Sequence, residues 1–365
     1  RVRSSAASDV YKRQVLVLVT LFFTWQTGGK ILLPQNVSNL ISQNAYVFVL
    51  ATGMLLCILT GGNIDLSVGS VVCFAGAVGA TLMESKGMNP WAASIMMLLI
   101  GLLIGAWQAF WIAYVHVPPF ITTLSGMLVF RGLSNVVLNG LTVSLTNAGF
   151  VKVFGGGAEC YIPDFLGGNG FNITCMLVGV IACVIYVLVQ IKNRMNRAKK
   201  GYEMEALSAM VIRTVIICAV ILVFMFRLAQ YKGIPTALVW VALVVLIYGY
   251  ITSKTTTGRY FYAVGGNEKA TKLSGINTNK VYFIAYANMG LLAGLAGLLC
   301  AARVGSVNGS TGTSFEMDAI GSCFIGGASA YGGSGTVGGV VIGALLLGVI
   351  NMGMSIMGIG DSWQY

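Results

Sequence analysis

Repeated apolar runs, each close to the length needed to cross a lipid bilayer, are the dominant feature of this 365-residue chain. A transmembrane helix needs about 20 predominantly apolar residues to cover a hydrocarbon core about 30 Å thick. Only 9% of the residues are charged, and the mean hydropathy is +0.83. The sequence therefore predicts an all-α, polytopic membrane protein with about ten transmembrane helices. The candidate helices are residues 15–26, 38–60, 66–83, 91–115, 119–139, 172–191, 207–226, 236–252, 281–302 and 336–357.

The first 14 residues differ in character from the rest of the chain. From Ser4 onward they resemble a translated sequencing adapter, so we interpret residues 1–14 as a non-native leader. This leader contributes four basic residues and one acidic residue to the net charge of +11. We interpret residues 15–365 as a single transmembrane domain that is truncated at both ends.

Basic residues concentrate in two segments between apolar runs. The segment 192–203 and the island 254–280 hold the densest clusters. Cytoplasmic loops of membrane proteins carry an excess of Lys and Arg, so both segments are predicted to be cytoplasmic. The two candidate helices between them, 207–226 and 236–252, return the chain to the same side. Counting backwards along the chain places the loop 141–170 outside.

The island 254–280 contains the signals of a short helix. Asn267 is a good N-cap, and Gly275 suits the position that follows a C-cap. Glu268 in the first turn and Lys272 in the last turn both complement the helix dipole. An ordinary loop and a docking element for a soluble partner are both compatible with this pattern.

A glycine-rich segment near the end of the chain cannot cross a membrane as one helix. Residues 303–335 are too polar to span, and their apolar core, 320–327, is too short. This favours a re-entrant or broken helix, which is tolerated only where protein or a water-filled path surrounds it. The turn 61–70 and the segment 326–339 share paired glycines ahead of an apolar helix, and duplicated broken helices point to a transport path. The side of the membrane on which the 61–70 turn lies is not decided by the sequence.

Three pairs of glycines at four-residue spacing would let helices approach closely. They are Gly101 with Gly105, Gly290 with Gly294 and Gly339 with Gly343. For each pair, ordinary tight packing is favoured over a dimer contact.

Ionisable residues at predicted membrane depth are costly and usually face an interior path or a partner. The candidates are Asp65, Arg131, Glu316 and Asp318. A structural role is the simpler interpretation of each carboxylate, because helix N-termini stabilise negative charge. We expect Asp65 to cap a helix that begins at Leu66 or Ser67. We expect Glu316 and Asp318 to lie at the N-terminus of a helix.

The residue inventory argues against catalysis and metal binding. His116 is the single histidine, it lies at a predicted helix junction, and the sequence has no nucleophile elbow or phosphate-binding Walker loop. The eight cysteines lie mostly in apolar runs without ligand spacing, and only Cys160 is expected in an aqueous loop. No basic stripe with interleaved aromatic residues is present, which argues against a nucleic-acid partner. We predict no catalytic residue and no metal or cofactor bound by this chain.

Four motifs, in order, resemble those of one transporter family. They are Leu59–Ser70 (Leu-Thr-Gly-Gly-Asn-Ile-Asp-Leu-Ser-Val-Gly-Ser), Pro119–Leu124 with Arg131–Leu133, Gly258–Ile276, and Phe315–Ile320 with Ile325–Ser329. Together they resemble the permease subunits of bacterial ABC importers for monosaccharides, the ribose, xylose and multiple-monosaccharide group. The resemblance extends from about Leu32 to Gln364, and residues 353–364 are most similar to the xylose and multiple-monosaccharide branch. Asn63 departs from the usual Gly-Gly-Ile-Asp-Leu-Ser, and the family's last apolar helix is expected to follow Tyr365.

The resemblance implies a multi-pass permease of the bacterial cytoplasmic (inner) membrane that works by alternating access. It implies three protein partners: a cytoplasmic ATPase subunit that uses ATP, an extracytoplasmic sugar-binding protein and a second permease copy. It also implies that the island 254–280 is the coupling segment that contacts the ATPase, with Ala270 and Leu273 on the apolar face of its short helix. The predicted coupling residues are Arg259, Gly265, Gly266, Asn267, Glu268, Lys269, Ala270, Lys272, Leu273 and Gly275.

A sugar crossing the bilayer needs polar side chains and backbone along its path, because hydroxyl groups cannot be left unpaired in hydrocarbon. The predicted path residues are Gly62, Asn63, Asp65, Ser67, Phe120, Thr122, Thr123, Arg131, Glu316, Asp318, Gly326 and Gly327. Two alternatives remain open. A branched-chain amino acid ABC permease shares the general helical plan, and a secondary sugar carrier would use an ion gradient in place of ATP.

Overall fold

The computed structural model describes residues 2–201 and 206–360, and this part of the chain is mostly helical with almost no strand. Each predicted apolar run falls on one helix, as expected. The elements are α1 Val2–Gln26, α2 Pro34–Leu59, α3 Val68–Ala80, α4 Pro90–Ala113, α5 Pro119–Leu138, β1 Val143–Ser144, α6 Ala148–Val153, α7 Ile173–Lys199, α8 Leu207–Ala229, α9 Thr236–Lys254, α10 Thr256–Gly266, α11 Glu268–Leu273, α12 Thr278–Val304, β2 Ser306–Val307, α13 Phe315–Ile325 and α14 Val337–Ile356. The end of the basic segment at Glu203 and the closing residues 361–364 lie outside the described residues.

Nine of the described helices are long and apolar enough to cross a membrane. They are α2, α3 with the π-helical turn Thr81–Ser85 that continues it, α4, α5, α7, α8, α9, α12 and α14. The predicted polytopic helical architecture is confirmed, with nine such helices in the described residues where about ten were expected. α7 continues beyond the predicted run 172–191 to Lys199, because Lys and Arg are good helix formers that suit a helix C-terminus.

The chain divides into two compact units. The larger unit holds the chain up to Gly28, Leu40–Cys160, and the chain from Thr236 onward. The smaller unit holds Gly29–Asn39 and Tyr161–Pro235, and its main feature is the packed pair α7 and α8.

The core of the larger unit is α12, which packs most extensively against α4. Their contact is made by two of the glycine pairs found in the sequence. A Cβ atom at Gly101 would lie 2.3 Å from the carbonyl oxygen of Gly290, and one at Gly105 would lie 2.8 Å from the Cα of Gly290. The predicted close approach therefore occurs within one chain, between backbones that only glycine allows to meet.

The predicted broken segment is the short helix α13. It has 11 residues, too few to cross a bilayer, and begins five residues ahead of the predicted apolar core 320–327. Glu316 and Asp318 lie in its first turn, as expected. The third glycine pair packs α14 against it, since a Cβ at Gly343 would lie 2.0 Å from the carbonyl oxygen of Ser322.

The two ends of α12 contact different parts of the larger unit. At its C-terminal end, β2 pairs with β1 in antiparallel register, with Val143 opposite Val307. Glu84 anchors the same loop by accepting hydrogen bonds from the N–H of Thr146 at 2.7 Å and from its hydroxyl at 2.8 Å. The N-terminal end of α12 adjoins the island 254–280. β1 and the island therefore lie at opposite ends of α12, and the external side of the loop 141–170 stays a prediction.

The expectation that Cys160 lies in an aqueous loop is wrong, because Cys160 is buried. The segment ahead of it folds onto the start of α9. Phe154 stacks on Trp240 with the ring centroids 5.3 Å apart, and the N–H of Thr236 donates to the carbonyl of Cys160 at 2.8 Å. Polarity of the surrounding loop did not reveal this packing.

Candidate functional site

Three glycine pairs from distant parts of the chain meet at the base of the island. We call this contact the glycine junction and define it as Gly61–Gly62, Gly265–Gly266 and Gly332–Gly333. The N–H of Gly333 donates to the carbonyl of Leu59 at 3.0 Å, which ties the end of α2 to the glycine-rich segment after α13. A Cβ at Gly333 would lie 2.8 Å from the backbone nitrogen of Gly266.

Only glycine fits at the centre of the glycine junction. A Cβ at Gly62 would lie 1.9 Å from the carbonyl oxygen of Ala330, and one at Gly265 would lie 1.8 Å from that of Leu59. Gly62 and Gly332 also adopt positive φ angles, +75° and +82°, which side chains rarely tolerate. The backbones of three separate segments therefore touch directly.

The junction decides the location of the 61–70 turn, which the sequence left open. Gly61 and Gly62 lie at the same end of the larger unit as the basic island. The two similar segments, 61–70 and 326–339, touch each other there, since a Cβ at Gly332 would lie 2.5 Å from the Cα of Gly61. Both broken segments therefore converge on the island.

Side-chain hydrogen bonds reinforce this convergence. The hydroxyl of Tyr262 in α10 donates to the carbonyl of Gly335 at 2.8 Å. The hydroxyl of Tyr282 in α12 donates to Glu268 Oε2 at 3.1 Å. Asn63 Nδ2 donates to Thr60 Oγ1 at 3.5 Å, within its own turn. The two tyrosine contacts connect the island to α12 and to the segment after α13.

The predicted short helix of the island is present as α11. Asn267 is its N-cap and accepts a hydrogen bond from the N–H of Ala270 at 3.0 Å, and Gly275 follows the C-cap with a φ of +88°. Thr271 is buried and its hydroxyl donates to the carbonyl of Ala263 at 2.8 Å. Leu273 is 90% exposed. One side of α11 is thus anchored to α10, an additional island helix that was not predicted, and the predicted apolar face is open.

The remaining coupling residues are also accessible or shape the island. Arg259, Lys269 and Lys272 are exposed, as are Glu268 and Ala270. Gly265 and Gly266 close α10 and belong to the glycine junction. Most of the predicted coupling residues are therefore accessible, and their contact with an ATPase stays a prediction.

Asp65, Ser67 and Gln108 form a buried polar cluster where α3 begins. Asp65 Oδ1 accepts hydrogen bonds from the N–H of Ser67 at 2.8 Å and from its hydroxyl at 2.6 Å. Ser67 Oγ also lies 3.0 Å from the amide of Gln108, and all three side chains are at most 2% exposed. Gln108 was missed in the sequence, although an amide within the apolar run of α4 is itself a signal of a buried polar contact.

The expected capping role of Asp65 is wrong in its register. α3 begins at Val68 with Ser67 in the N-cap position, so the helix does not begin at Leu66 or Ser67. Asp65 instead accepts a hydrogen bond from the N–H of Ser67, two residues later in the chain. This is the pattern of an Asx turn, which ends the extended segment before the helix. The flexible pair Gly61–Gly62 shortly before Asp65 leaves the start of α3 undetermined in the sequence.

Glu316 and Arg131 attach the start of α13 to α3 and α5. A Cβ at Gly69 would lie 2.5 Å from Glu316 Oε2, so the carboxylate lies against the first turn of α3. Arg131 Nη1 donates to the carbonyls of Gly309 at 3.2 Å and Thr311 at 2.5 Å. Arg131 therefore stabilises the turn that precedes α13.

Asp318 accepts a hydrogen bond from the hydroxyl of Tyr46 at 3.1 Å. The Tyr46 ring stacks on Phe315 with the centroids 3.7 Å apart. A cavity of about 90 Å³ opens beside this pair, and Ser42 and Arg303 also line it. Tyr46 was not predicted, because its position in the apolar run of α2 gives no indication of its partner.

The predicted path residues at the start of α5 and the end of α13 do not join these groups. Thr122 and Thr123 are buried and donate to carbonyls of their own helix, while Phe120 is 54% exposed. Gly326 packs against α14, since a Cβ at this position would lie 2.5 Å from the carbonyl oxygen of Gly339, and Gly327 follows with a φ of +84°. The predicted set thus separates into several local groups, and its role in lining a path stays a prediction.

Comparison with known proteins identifies the family. The family described as the permease component of branched-chain amino acid transport systems matches residues 36–207 and 153–365. The chain belongs to this permease family. This membership confirms the prediction that the chain is a transport subunit and not an enzyme.

Within this permease family, the chain is similar to sugar permeases. It is 38% identical to the xylose transport system permease protein XylH of Escherichia coli K12, over 96% of this chain and 86% of that protein. It is 37% identical to XylH of Haemophilus influenzae, over 96% of this chain and 90% of that protein. It is 31% identical to the ribose import permease protein RbsC of Escherichia coli K12, over 88% of this chain and 78% of that protein. The predicted resemblance is confirmed, and no solved structure matches the chain.

Proposed function

We propose that this chain is the permease subunit of an ATP-driven importer that moves a monosaccharide across the bacterial cytoplasmic (inner) membrane. The observation that carries the proposal is the 38% identity to a xylose permease over 96% of the chain. Identity to the ribose permease is lower, 31%, and covers less of the chain. Xylose, or a sugar of similar structure, is therefore the first substrate to test.

Three partners belong to this proposal. A cytoplasmic ATPase subunit binds and hydrolyses ATP, because this sequence has no phosphate-binding loop of its own. An extracytoplasmic binding protein delivers the sugar, and a second permease copy completes a homodimer. The open face of α11 supports the first of these contacts, since its Leu273 is largely exposed in a basic segment.

Alternating access would connect the ATPase to the path through the glycine junction. A displacement of α11 acts on α10, whose last residues, Gly265 and Gly266, touch Leu59 and Gly333, and the neighbouring Gly332 touches Gly61. The turn at Gly62 leads directly to the buried cluster around Asp65. Movement of this turn can therefore expose the polar groups that sugar hydroxyls require, without a separate transmission element.

Two alternative functions differ in substrate or in energy source. The family description favours a branched-chain amino acid permease, but the three relatives compared above are xylose and ribose permeases. A secondary carrier would share membrane spans and a broken-helix path but would need no ATPase.

Reconstitution of the complete importer in proteoliposomes tests the proposal. We expect radiolabelled xylose or a related pentose to accumulate only when the ATPase, internal ATP and loaded binding protein are all present. The permease alone under a proton or sodium gradient serves as the control, and accumulation there would establish a secondary carrier. Leucine uptake without sugar uptake would establish the amino acid permease.

A further inference from the structure

A second exposed anchor lies next to the coupling helix. Among the described large apolar and aromatic side chains, Leu273 and Tyr331 are the most exposed, at 90% each. Leu273 ends α11, and Tyr331 lies in the glycine-rich turn that follows α13. We propose that these two side chains form one two-part docking surface for the ATPase, which rests on the proposed function and adds the turn after α13 to the coupling contact.

The glycine junction places the two anchors at the same end of the larger unit. Gly333, two residues after Tyr331, packs against Gly266. Gly266 directly precedes Asn267, the N-cap of α11. The turn that carries Tyr331 is therefore in backbone contact with the start of the coupling helix.

The turn holds Tyr331 in a defined position. The N–H of Ser329 donates to the carbonyl of Ser334 at 2.8 Å, which closes the base of the turn. The N–H of Gly332 donates to the carbonyl of Ser329 at 3.0 Å, and the N–H of Tyr331 donates to Ser329 Oγ at 3.2 Å. A tyrosine presented on an ordered turn is a favourable interface anchor, because little backbone entropy is lost when a partner covers it.

The charge of the island favours a soluble partner with an acidic surface. The island around Leu273 is basic, and its exposed cations suit an acidic rim on the partner. They are Lys254, Arg259, Lys269, Lys272 and Lys280. Anionic lipid headgroups could be attracted by the same charges, and a second copy of the chain could cover the same side chains, so both are outcomes of the test.

The second anchor gives the ATPase a direct contact with the segment 326–339 and, through that segment, a link to the 61–70 turn. Tyr331 follows Ala330, whose carbonyl oxygen would lie 1.9 Å from a Cβ at Gly62. Gly62 begins the segment that leads to Asp65 and α3. A partner that moves Tyr331 therefore displaces the 61–70 turn without acting through α11.

Site-specific photo-crosslinking identifies what covers Tyr331. A photoreactive phenylalanine analogue is placed singly at Tyr331, at Leu273 and, as a matched control, at Phe165, which is 75% exposed in the predicted external loop. Membranes that contain the complete importer are irradiated, and adducts are identified by mass spectrometry. We expect ATPase adducts from the first two positions and none from Phe165.

The outcomes separate this inference from the proposed function. The two-part surface alone is overturned if Leu273 crosslinks to the ATPase while Tyr331 crosslinks to lipid, to a second permease or to nothing. The absence of ATPase adducts at both positions, in a complex that lacks ATP-driven uptake, overturns the function as well.

Turnover measurements show whether the contact is used. We expect Tyr331→Ala to lower sugar-stimulated ATP turnover by about tenfold, and Tyr331→Phe to retain it because the ring supplies most of the buried contact area. Phe165→Ala should leave turnover unchanged. Equal turnover in Tyr331→Ala and the unsubstituted importer, at equal permease levels in the membrane, would overturn the proposal.

Discussion

Helices α12 and α8 are both apolar enough to span a membrane, but the more apolar of the two is the less buried. In a soluble protein the more apolar helix is expected to be the more buried one. The most apolar stretch of α8 has a mean hydropathy of 2.7 and is only 6% buried, whereas that of α12 has 1.8 and is 78% buried. Lipid solvates large aliphatic side chains as well as a protein core does, so apolarity does not drive helices together in a bilayer. Small residues that allow backbone contact identify the buried helix.

The composition of the two helices shows this difference. α12 contains Gly290, Gly294 and Gly297, all buried. The side chains of Val220 and Val223 in α8 are more than 60% exposed. Hydropathy therefore identifies membrane spans, and glycine spacing identifies which spans form the core.

The largest expected effect comes from Gly290→Ala in α12. Its Cβ would lie 2.2 Å from the carbonyl oxygen of Gly101 and 2.6 Å from the Cα of Gly105, so α4 and α12 would have to separate. We expect the free energy of unfolding to fall by at least about 2 kcal/mol. The measurement is thermal unfolding of the purified permease in detergent.

The matched control for this substitution is Gly249→Ala in α9. Apart from the adjoining backbone of its own helix, no described atom lies within 4 Å of its Cβ position. Because alanine favours a helix over glycine by about 1 kcal/mol, this variant should be neutral or slightly stabilised. Equal unfolding temperatures for the two variants would remove the distinction between core and lipid-facing glycines.

A comparable effect is expected from truncating a buried large side chain in α12, and a much smaller one from truncating an exposed side chain in α8. Met289 in α12 is fully buried, so Met289→Ala should cost about 2–5 kcal/mol through the cavity it leaves. Val220→Ala in α8 should cost less than about 0.5 kcal/mol, because lipid fills the space. Thermal unfolding in lipid nanodiscs measures both, and a cost for Val220→Ala as large as that for Met289→Ala would contradict the comparison.

The smallest effect concerns the loop that begins α7 in the smaller unit. Hydrogen bonds from the Thr174 hydroxyl and from three backbone N–H groups, those of Gly168, Leu166 and Ile173, hold the pKa of Asp164 well below its usual value. A lowered folded-state pKa means that the carboxylate stabilises the loop at pH values above its unfolded-state pKa of about 4. This stabilisation is lost as the pH falls toward the folded-state pKa.

Asp164→Asn provides the corresponding measurement. The unfolding temperature of the unsubstituted chain should exceed that of the variant by a constant, small amount above about pH 5, and the difference should shrink on acidification. A difference that grows as the pH falls would reverse the sign of the inferred linkage. A difference that shrinks on acidification would show that loop contacts, and not only helix packing, stabilise the smaller unit.

The sequence predicted the features that depend on local signals. Run lengths set by bilayer thickness placed the membrane-spanning helices, and capping residues placed α11 between Asn267 and Gly275. The glycine pairs correctly indicated close helix contacts, although their partners were not identified. Each of these signals acts within a few residues of the structure that it predicts.

The tertiary structure alone decided which distant residues meet. Nothing local to Gln108 or Tyr46 indicates that they contact Ser67 and Asp318, and the polar loop around Cys160 gave the wrong burial. The glycine junction is the clearest case, because three segments separated by many residues meet through backbone atoms that sequence patterns do not distinguish. The thickness of the bilayer therefore made the membrane-spanning helices recognisable from the sequence. Backbone packing decided that the end of α10 touches the segment after α13 and that this segment touches the 61–70 turn.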